Sequence, residues 1–236
     1  MEYIEFEKEF LEELHRNHIS DAKNIEKFYE YMKLLLEWNE KINLTAIKDE
    51  KEFIVKHFVD SLTINQYINK NSRLIDVGTG AGFPGLPLKL FNEELSVTLI
   101  DSVNKKINVL KDIIEKLNLE NIEVVHARAE EFVKGNREIY DMAVSRAVAN
   151  MSTLVEYLIP FVKLNGMIIC MKGPNFQEEL EASKNAIMVL GGKVEKVESF
   201  FINEELERNI IIIRKIKETP KQYPRSQSKP LKEPIK

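Results

Sequence analysis

Aspartate and glycine dominate the one stretch of this sequence whose residue types could do chemistry. In Leu74-Ile75-Asp76-Val77-Gly78-Thr79-Gly80-Ala81-Gly82-Phe83-Pro84-Gly85 an apolar run carries a carboxylate and then stops at a glycine-rich turn. Glycine lets the backbone take φ > 0 and lets a ligand lie directly against it. Leu86-Pro87-Leu88-Lys89-Leu90 then reads as the first turns of a helix. Its N-terminus offers free N–H groups and a positive dipole to a carboxylate or phosphate. A second apolar run, Val97-Thr98-Leu99-Ile100, ends in Asp101, sixteen residues past Gly85. An acid at that point is where a nucleotide-binding βαβ unit hydrogen-bonds a ribose.

The elements that must position these groups change character along the chain. Residues 1–70 read as helices: Phe6, Phe10 and Leu14 recur every four residues, as on one helix face. Ser20-Asp21 is expected to cap a second helix with Ile25, Phe28, Tyr29, Met32, Leu35 and Leu36 on its apolar side, and Asp49 precedes a third. From Arg73 short strands alternate with amphipathic stretches. Strands are expected at Arg73–Val77, Val97–Asp101, Ile122–His126, Met142–Ser145 and Gly166–Met171, an order that calls for a parallel sheet covered on both faces. Lys193–Phe201 and Asn209–Ile216, joined by a short charged loop, should close the sheet as an antiparallel hairpin. The expected organisation is a helical cap (1–70), an α/β domain (71–216) and a basic tail (217–236). Prolines at 220, 224, 230 and 234 speak against regular structure in that tail.

Composition narrows the function classes. At 236 residues, 44% hydrophobic and 31% charged, the sequence describes an ordinary globular protein. No apolar run approaches the roughly 20 residues of a membrane span. The N-terminus is acidic and lacks the regions of a signal peptide, and Cys170 is the only cysteine, so a reducing, cytoplasmic setting is expected. Residues 214–236 carry eight bases against two acids on a chain whose net charge is −4. A basic segment on an acidic body suits a localised polyanion contact, and Tyr223-Pro224-Arg225 could stack on a base and clamp a phosphate.

Two cofactors fit the glycine turn. Gly80–Gly85 is a G-x-G-x-x-G dinucleotide fingerprint, which keeps a nicotinamide-dependent oxidoreductase as an alternative. One register earlier, Asp76-Val77-Gly78-Thr79-Gly80-Ala81-Gly82 resembles motif I of the class I S-adenosylmethionine-dependent methyltransferases. The second reading is preferred, because a buried Asp needs partners and a dinucleotide site has no use for one inside its first strand. A parallel sheet finished by a hairpin is also the architecture of that methyltransferase class.

Ligands in open α/β sheets bind beyond the carboxyl ends of the strands. Those tips carry Asp101-Ser102, Ala127-Arg128-Ala129-Glu130, Ser145-Arg146-Ala147 and Lys172-Gly173-Pro174. An acid and backbone amides at Ala129-Glu130 could hold an adenine ring. The fourth tip lacks the Asn/Asp-Pro-Pro-aromatic motif typical of exocyclic amine methylation. Cys170, within an apolar run, reads as core rather than as a nucleophile for pyrimidine C5. His15, His18, His57 and His126 are scattered, so no metal site is expected. What remains is an acceptor that needs no base, such as guanine N7, where alignment and electrostatics suffice.

Trp38-Asn39-x-x-x-Asn43-Leu44-Thr45, His57-x-x-Asp60-Ser61-Leu62, Asp76–Pro87, Asp101-Ser102-x-x-Lys105-Lys106, Ala129-Glu130, Ser145-Arg146-Ala147 and Tyr223-Pro224-Arg225 form an ordered set. Together they resemble the bacterial small-subunit rRNA guanine-N7 methyltransferases, the glucose-inhibited division protein B family. The resemblance implies that Gly78, Phe83, Ala129, Glu130 and Arg146 contact S-adenosylmethionine, with Asp76, Gly80, Gly82, Asp101 and Ser102 completing the cofactor site. It implies a guanine of 16S rRNA, free or in the small subunit or its precursor, as the substrate; a monomer without metal or membrane attachment is expected. Arg146 is the expected catalytic residue, and Lys105, Lys172, Lys221 and Arg225 are the expected RNA contacts. A non-catalytic RNA-binding protein on the same fold is the other alternative. The tail lacks the glycine found there in many relatives.

Overall fold

The computed structural model describes residues 1–146 and 149–235. Its sheet runs in the order β3-β2-β1-β4-β5-β7-β6, built from β1 (Arg73–Val77), β2 (Ser96–Asp101), β3 (Ile122–His126), β4 (Tyr140–Arg146), β5 (Val162–Lys172), β6 (Gly192–Ile202) and β7 (Leu206–Lys215). The first five strands pair in parallel, and β7 pairs antiparallel with both β5 and β6. Strand order reverses between β1 and β4, where Asp76 lies opposite Val144. A crevice at such a switch point is where an open α/β sheet takes its ligand. Seven strands, mostly parallel and closed by a hairpin, are the class I methyltransferase architecture expected from the sequence.

Helices α5 (Gly85–Phe91), α6 (Asn104–Lys116), α7 (Ala129–Asn136), α8 (Met151–Leu158) and α9 (Gln177–Val189) connect the strands. Ahead of them stand α1 (Tyr3–Arg16), α2 (Ile25–Ile42) and the short α3 (Glu50–Phe53), which continues through a π-helical stretch at Ile54–Val59 into α4 (Asp60–Leu62). Phe6, Phe10 and Leu14 are fully buried, as their spacing requires. Asp49 caps α3 by accepting from Glu52 N at 2.9 Å. The expected cap at Ser20-Asp21 is not formed. Helix α2 begins after Asn24, and the Asp21 carboxylate meets His15 at 2.5 Å instead. Asn43 ends α2 in the left-handed region at φ 43, which asparagine tolerates.

Side chains alternate across a strand, so the sheet buries a separate core on each face. Leu74 of β1 joins one that includes Phe6, Phe28, Phe58, Phe83 and Ile212. Ile75 joins another that includes Leu154, Phe161 and Cys170. The N-terminal helices thus share their core with the sheet, and Trp38 Nε1 ties α2 to α6 by donating to Asp112 Oδ2 at 2.7 Å.

The tail departs from expectation. Lys229–Lys232 form one helical turn, α10, with Pro230 in its first turn, where its missing N–H costs nothing. Long-range bonds hold the segment, as described below. Lys236 lies outside the described residues, as does Ala147 of the fourth strand tip.

Candidate active site

The glycine turn owes its shape to the aspartate before it. Asp76 Oδ2 accepts from Thr79 Oγ1 at 2.7 Å and from Gly85 N at 2.9 Å, so one carboxylate oxygen clasps both ends of the turn. Gly78, Gly80 and Gly82 take φ of 73, 63 and 103, values that penalise a Cβ. Their surroundings differ. A Cβ on Gly80 would meet no atom within 4 Å, whereas one on Gly82 would come within 2.6 Å of the Tyr31 hydroxyl. Gly80 therefore faces open space suited to a ligand. Gly82, expected to meet the cofactor, is occupied by packing against Tyr31, whose hydroxyl donates to Ala81 O at 2.6 Å. Asp76 Oδ1 is buried without a hydrogen-bond partner among the described residues. Burial pushes the Asp76 carboxyl up to about 6, against the pull of its two donors.

Asp101 fastens the other side of the turn. Its Oδ2 accepts from Gly80 N at 2.9 Å and its Oδ1 from Val103 N at 2.8 Å. The expected ribose partner is thus also a structural clamp, with lone pairs to spare on each oxygen. Ser102 is exposed beside it, and Ala129 and Glu130 begin α7 in buried positions.

At the tip of β4, Arg146 sits in a polar network. Nη1 donates to Lys56 O and to Asp60 Oδ2, both at 3.0 Å, and Nη2 lies 3.0 Å from His57 Nδ1. The Arg146 guanidinium carbon stands 4.8 Å from the centroid of the Phe83 ring. Phe83 itself stacks on His57 at 4.4 Å and 7°. Burial, with Arg146 beside it, lowers the His57 pKa to about 3. The ring is therefore neutral: Nδ1 must accept from Arg146, leaving Nε2–H to donate to Thr45 Oγ1 at 2.9 Å. Thr45 in turn is held through its N–H by Asn39 Oδ1 at 2.9 Å. Asp60, with its side chain 2% exposed, also accepts from Arg208 Nε at 2.8 Å. The ion-pair partner of Arg146 is Asp60, not the Asp76 or Glu130 that strand-tip proximity suggests. Phe83 has its ring committed to this stack.

Two expected RNA cations are engaged elsewhere. Lys172 Nζ donates to Ala149 O at 2.8 Å and pairs with Glu179 at 2.9 Å, its side chain 8% exposed. Arg225 is bound to Glu156, because that carboxylate is fully buried and requires a cation. Lys105 and Lys221 are exposed. Cys170 is buried in the core, its thiol pushed up to about 12 by burial. Among the described residues no cluster of His, Cys, Asp or Glu could hold a metal ion, and no helix is long and apolar enough to cross a membrane. Tyr31 and Arg208 were missed. Tyr31 falls outside the apolar side expected for α2, and Arg208 reads as part of the charged loop before the last expected strand until its partner is known.

Comparison with known proteins decides what this network belongs to. Residues 24–211 match the family model described as GidB, rRNA small subunit methyltransferase G. The chain belongs to this family. The ribosomal RNA small subunit methyltransferase G of Alkaliphilus metalliredigens is 50% identical over 224 residues, 93% of each chain. Its namesake in Acetivibrio thermocellus is 50% identical over 221 residues, 91% of this chain and 90% of that one. Among solved structures, TYW2 of M. jannaschii in complex with AdoMet superposes with a TM-score of 0.54 at 16% identity, covering 66% of this chain and 73% of that one. That likeness carries the fold. In the methyltransferase G family match fall the glycine turn, the Arg146 network and Arg208, while the segment after β7 lies beyond it.

Proposed function

We propose that this chain transfers a methyl group from S-adenosylmethionine to N7 of a guanine in 16S rRNA, acting as a cytoplasmic monomer on the small subunit or its precursor. Family membership supplies the reaction and the substrate class. The observations that carry the cofactor assignment are Asp76 Oδ1, a buried acceptor without a donor among the described residues, and the open side of Gly80. A ligand bearing an ammonium and a nucleoside meets both needs.

In this reading Asp76 accepts from the amino group of the methionine moiety, and Gly78 and Gly80 let the ligand lie on the backbone. Asp101 reaches the ribose, and Ala129 with Glu130 flanks the adenine. Bound there, the cofactor supplies a sulfonium methyl already activated for transfer. Guanine N7 has a lone pair and no proton to lose, so the chain needs no general base. His57, the histidine built into the site, is locked neutral with both ring nitrogens bonded, in keeping with that. Arg146 spends three of its five N–H groups on Lys56, Asp60 and His57. The remaining two can meet the cofactor carboxylate, guanine O6 or a phosphate. Donation to N7 itself would occupy the attacking lone pair. Catalysis is then alignment in a preformed electrostatic wall.

Tritiated-methyl transfer to small-subunit rRNA lacking the mark, with nuclease mapping of the product, tests the reading. Label on a guanine N7 is the expected result. Label on another atom overturns the regiochemistry. Thermal stabilisation by NADH rather than S-adenosylhomocysteine would overturn the cofactor.

A further inference from the structure

The segment after β7 is fastened along its whole length. At its start Thr219 N donates to Glu138 Oε1 at 2.8 Å, Thr219 Oγ1 donates to Leu190 O at 2.7 Å, and Arg137 donates to the carbonyls of Thr219 and Tyr223. Arg137 and Glu138 follow the C-terminal end of α7. Midway, Arg225 meets Glu156 of α8 through three hydrogen bonds, from its N–H at 2.8 Å, Nε at 2.9 Å and Nη2 at 2.7 Å. Nη2 also reaches Glu233 O at 2.8 Å and so closes the segment on itself. At the far end, Arg128 donates to Ser228 Oγ at 2.9 Å and Thr153 Oγ1 donates to Pro230 O at 2.8 Å. Arg128 and Thr153 stand at the N-terminal ends of α7 and α8. The segment therefore climbs from the amino edge of the sheet to the carboxyl edge, where the cofactor site lies.

Two features show that the path is imposed. Glu156 is 0% exposed, and a buried carboxylate is retained only with a cation on it. Gln227 and Ser228 both take φ of 58, a conformation that two successive non-glycine residues keep only where their surroundings hold them. Tyr223 and Ile235 add apolar contact with the core beneath α8.

We infer that residues 217–235 are a strap, latched by Arg225 on Glu156, that holds the starts of α7 and α8 in place and thereby sets the affinity of the cofactor site. The inference rests on the placement of the adenine beside Ala129 and Glu130 proposed above. Arg225 is on this view a positioning residue, acting through α7 and α8 rather than on any ligand. The same assignment explains why the segment is basic yet keeps its one aromatic and one arginine turned to the protein.

The test compares full-length wild type with Arg225→Gln, Arg225→Lys and Thr153→Val. In Arg225→Gln, hydrogen exchange of 226–235 is expected to accelerate while β1–β5 stay protected. The Kd for S-adenosylhomocysteine should rise about fivefold, the low end of ordinary coupling between sites. Cofactor KM should follow, with kcat at saturation within about twofold, the signature of lost uniform binding. Arg225→Lys should recover part of the affinity. Thr153→Val, which leaves the buried ion pair intact, covers the event that Arg225→Gln does not fold; it should move exchange and Kd in the same direction. Rapid exchange of the strap with an unchanged Kd would overturn the inference, as would unchanged exchange in Arg225→Gln. Failure of wild type itself to bind S-adenosylhomocysteine would instead sink the functional reading on which the inference stands.

Discussion

Each face of the sheet carries an arginine seated on a buried carboxylate, Arg146 on Asp60 and Arg225 on Glu156. The chemistry is the same, but the placement differs. Arg146 is 16% exposed, stacked on Phe83 and shared among a carbonyl, a carboxylate and a neutral histidine, with N–H groups left over. Arg225 is 25% exposed and gives its side-chain bonds to Glu156 and to its own segment. The first pair leaves donors free at a strand tip, as the proposed site needs; the second fastens a chain segment. A buried ion pair alone thus says little about function, and what the guanidinium still has to offer says more.

The sharpest way to break that comparison is Arg146→Lys. A lysine keeps the charge but cannot hold Lys56 O, Asp60 and His57 together. Methyl transfer should fall at least about tenfold, on the order of 1.4 kcal/mol, measured where the variant is still folded. From sequence alone no loss of stability is expected. The Asp60 pair changes that, and the melting temperature should drop as well. Arg225→Lys measured alongside should keep kcat; equal losses in kcat would erase the distinction drawn here.

Next in size is the pH response of Asp76. Asp76 is raised to about 6, so its anionic form, the better acceptor for an ammonium, is lost as pH falls through that value. Affinity for S-adenosylhomocysteine should therefore weaken below about pH 6, and Asp76→Asn should bind at least about tenfold worse and flatten that limb. Linkage gives stability the opposite sense. A carboxyl raised above its unfolded value of 3.8 contributes stability below that value and loses it as pH climbs through about 6. A cofactor affinity independent of pH between 5 and 7 would show that Asp76 does not face the ligand.

The glycines sharpen the comparison further. Gly80→Ala and Gly78→Ala put a Cβ in a left-handed position at roughly 1–2 kcal/mol, and both should weaken the cofactor while the fold survives. Gly82→Ala drives its Cβ at the Tyr31 hydroxyl and should register mainly as a fall in melting temperature. The smallest effect belongs to the exposed lysines. Lys105→Ala with Lys221→Ala should flatten the logarithmic salt dependence of rRNA affinity by about 1.4, two single-strand phosphate contacts. Lys172→Ala, whose ammonium is already inside the protein, should leave that slope alone.

The glycine turn, the parallel strands and the closing hairpin were legible because local rules specify them: apolar runs, turn residues and a carboxylate where none is affordable. Expected strands such as Arg73–Val77 and Ile122–His126 coincide with the observed ones. The Arg146 network was half legible. Asn39, Thr45, His57, Asp60 and Arg146 all lie in the motifs that carry the family resemblance, yet the bonds that join them reach across as many as 89 positions, and no periodicity encodes that. The strap was misread for a related reason. Prolines mark a break in regular structure, but what pins Arg225 is an acid 69 positions earlier, and what pins Pro230 is a hydroxyl 77 positions earlier. Its signal was present in Leu154-Val155-Glu156-Tyr157-Leu158, where a lone carboxylate in an apolar helix demands a cation from elsewhere. The Ser20-Asp21 cap failed more simply, because the chain spends four more residues turning before α2 can begin.

The contact between Phe83 and His57 has one more consequence. It places a residue of the glycine turn in the same apolar core as Phe6, Phe28 and Phe58 of the N-terminal helices. Whatever occupies the turn therefore draws its grip on the fold from the first helix onward, not from the sheet alone. At a methyl-donor concentration a hundredfold above its Kd, mass action adds about 2.7 kcal/mol to the folded state. Depletion of the methyl donor would then withdraw that stabilisation from the fold as well as slow turnover.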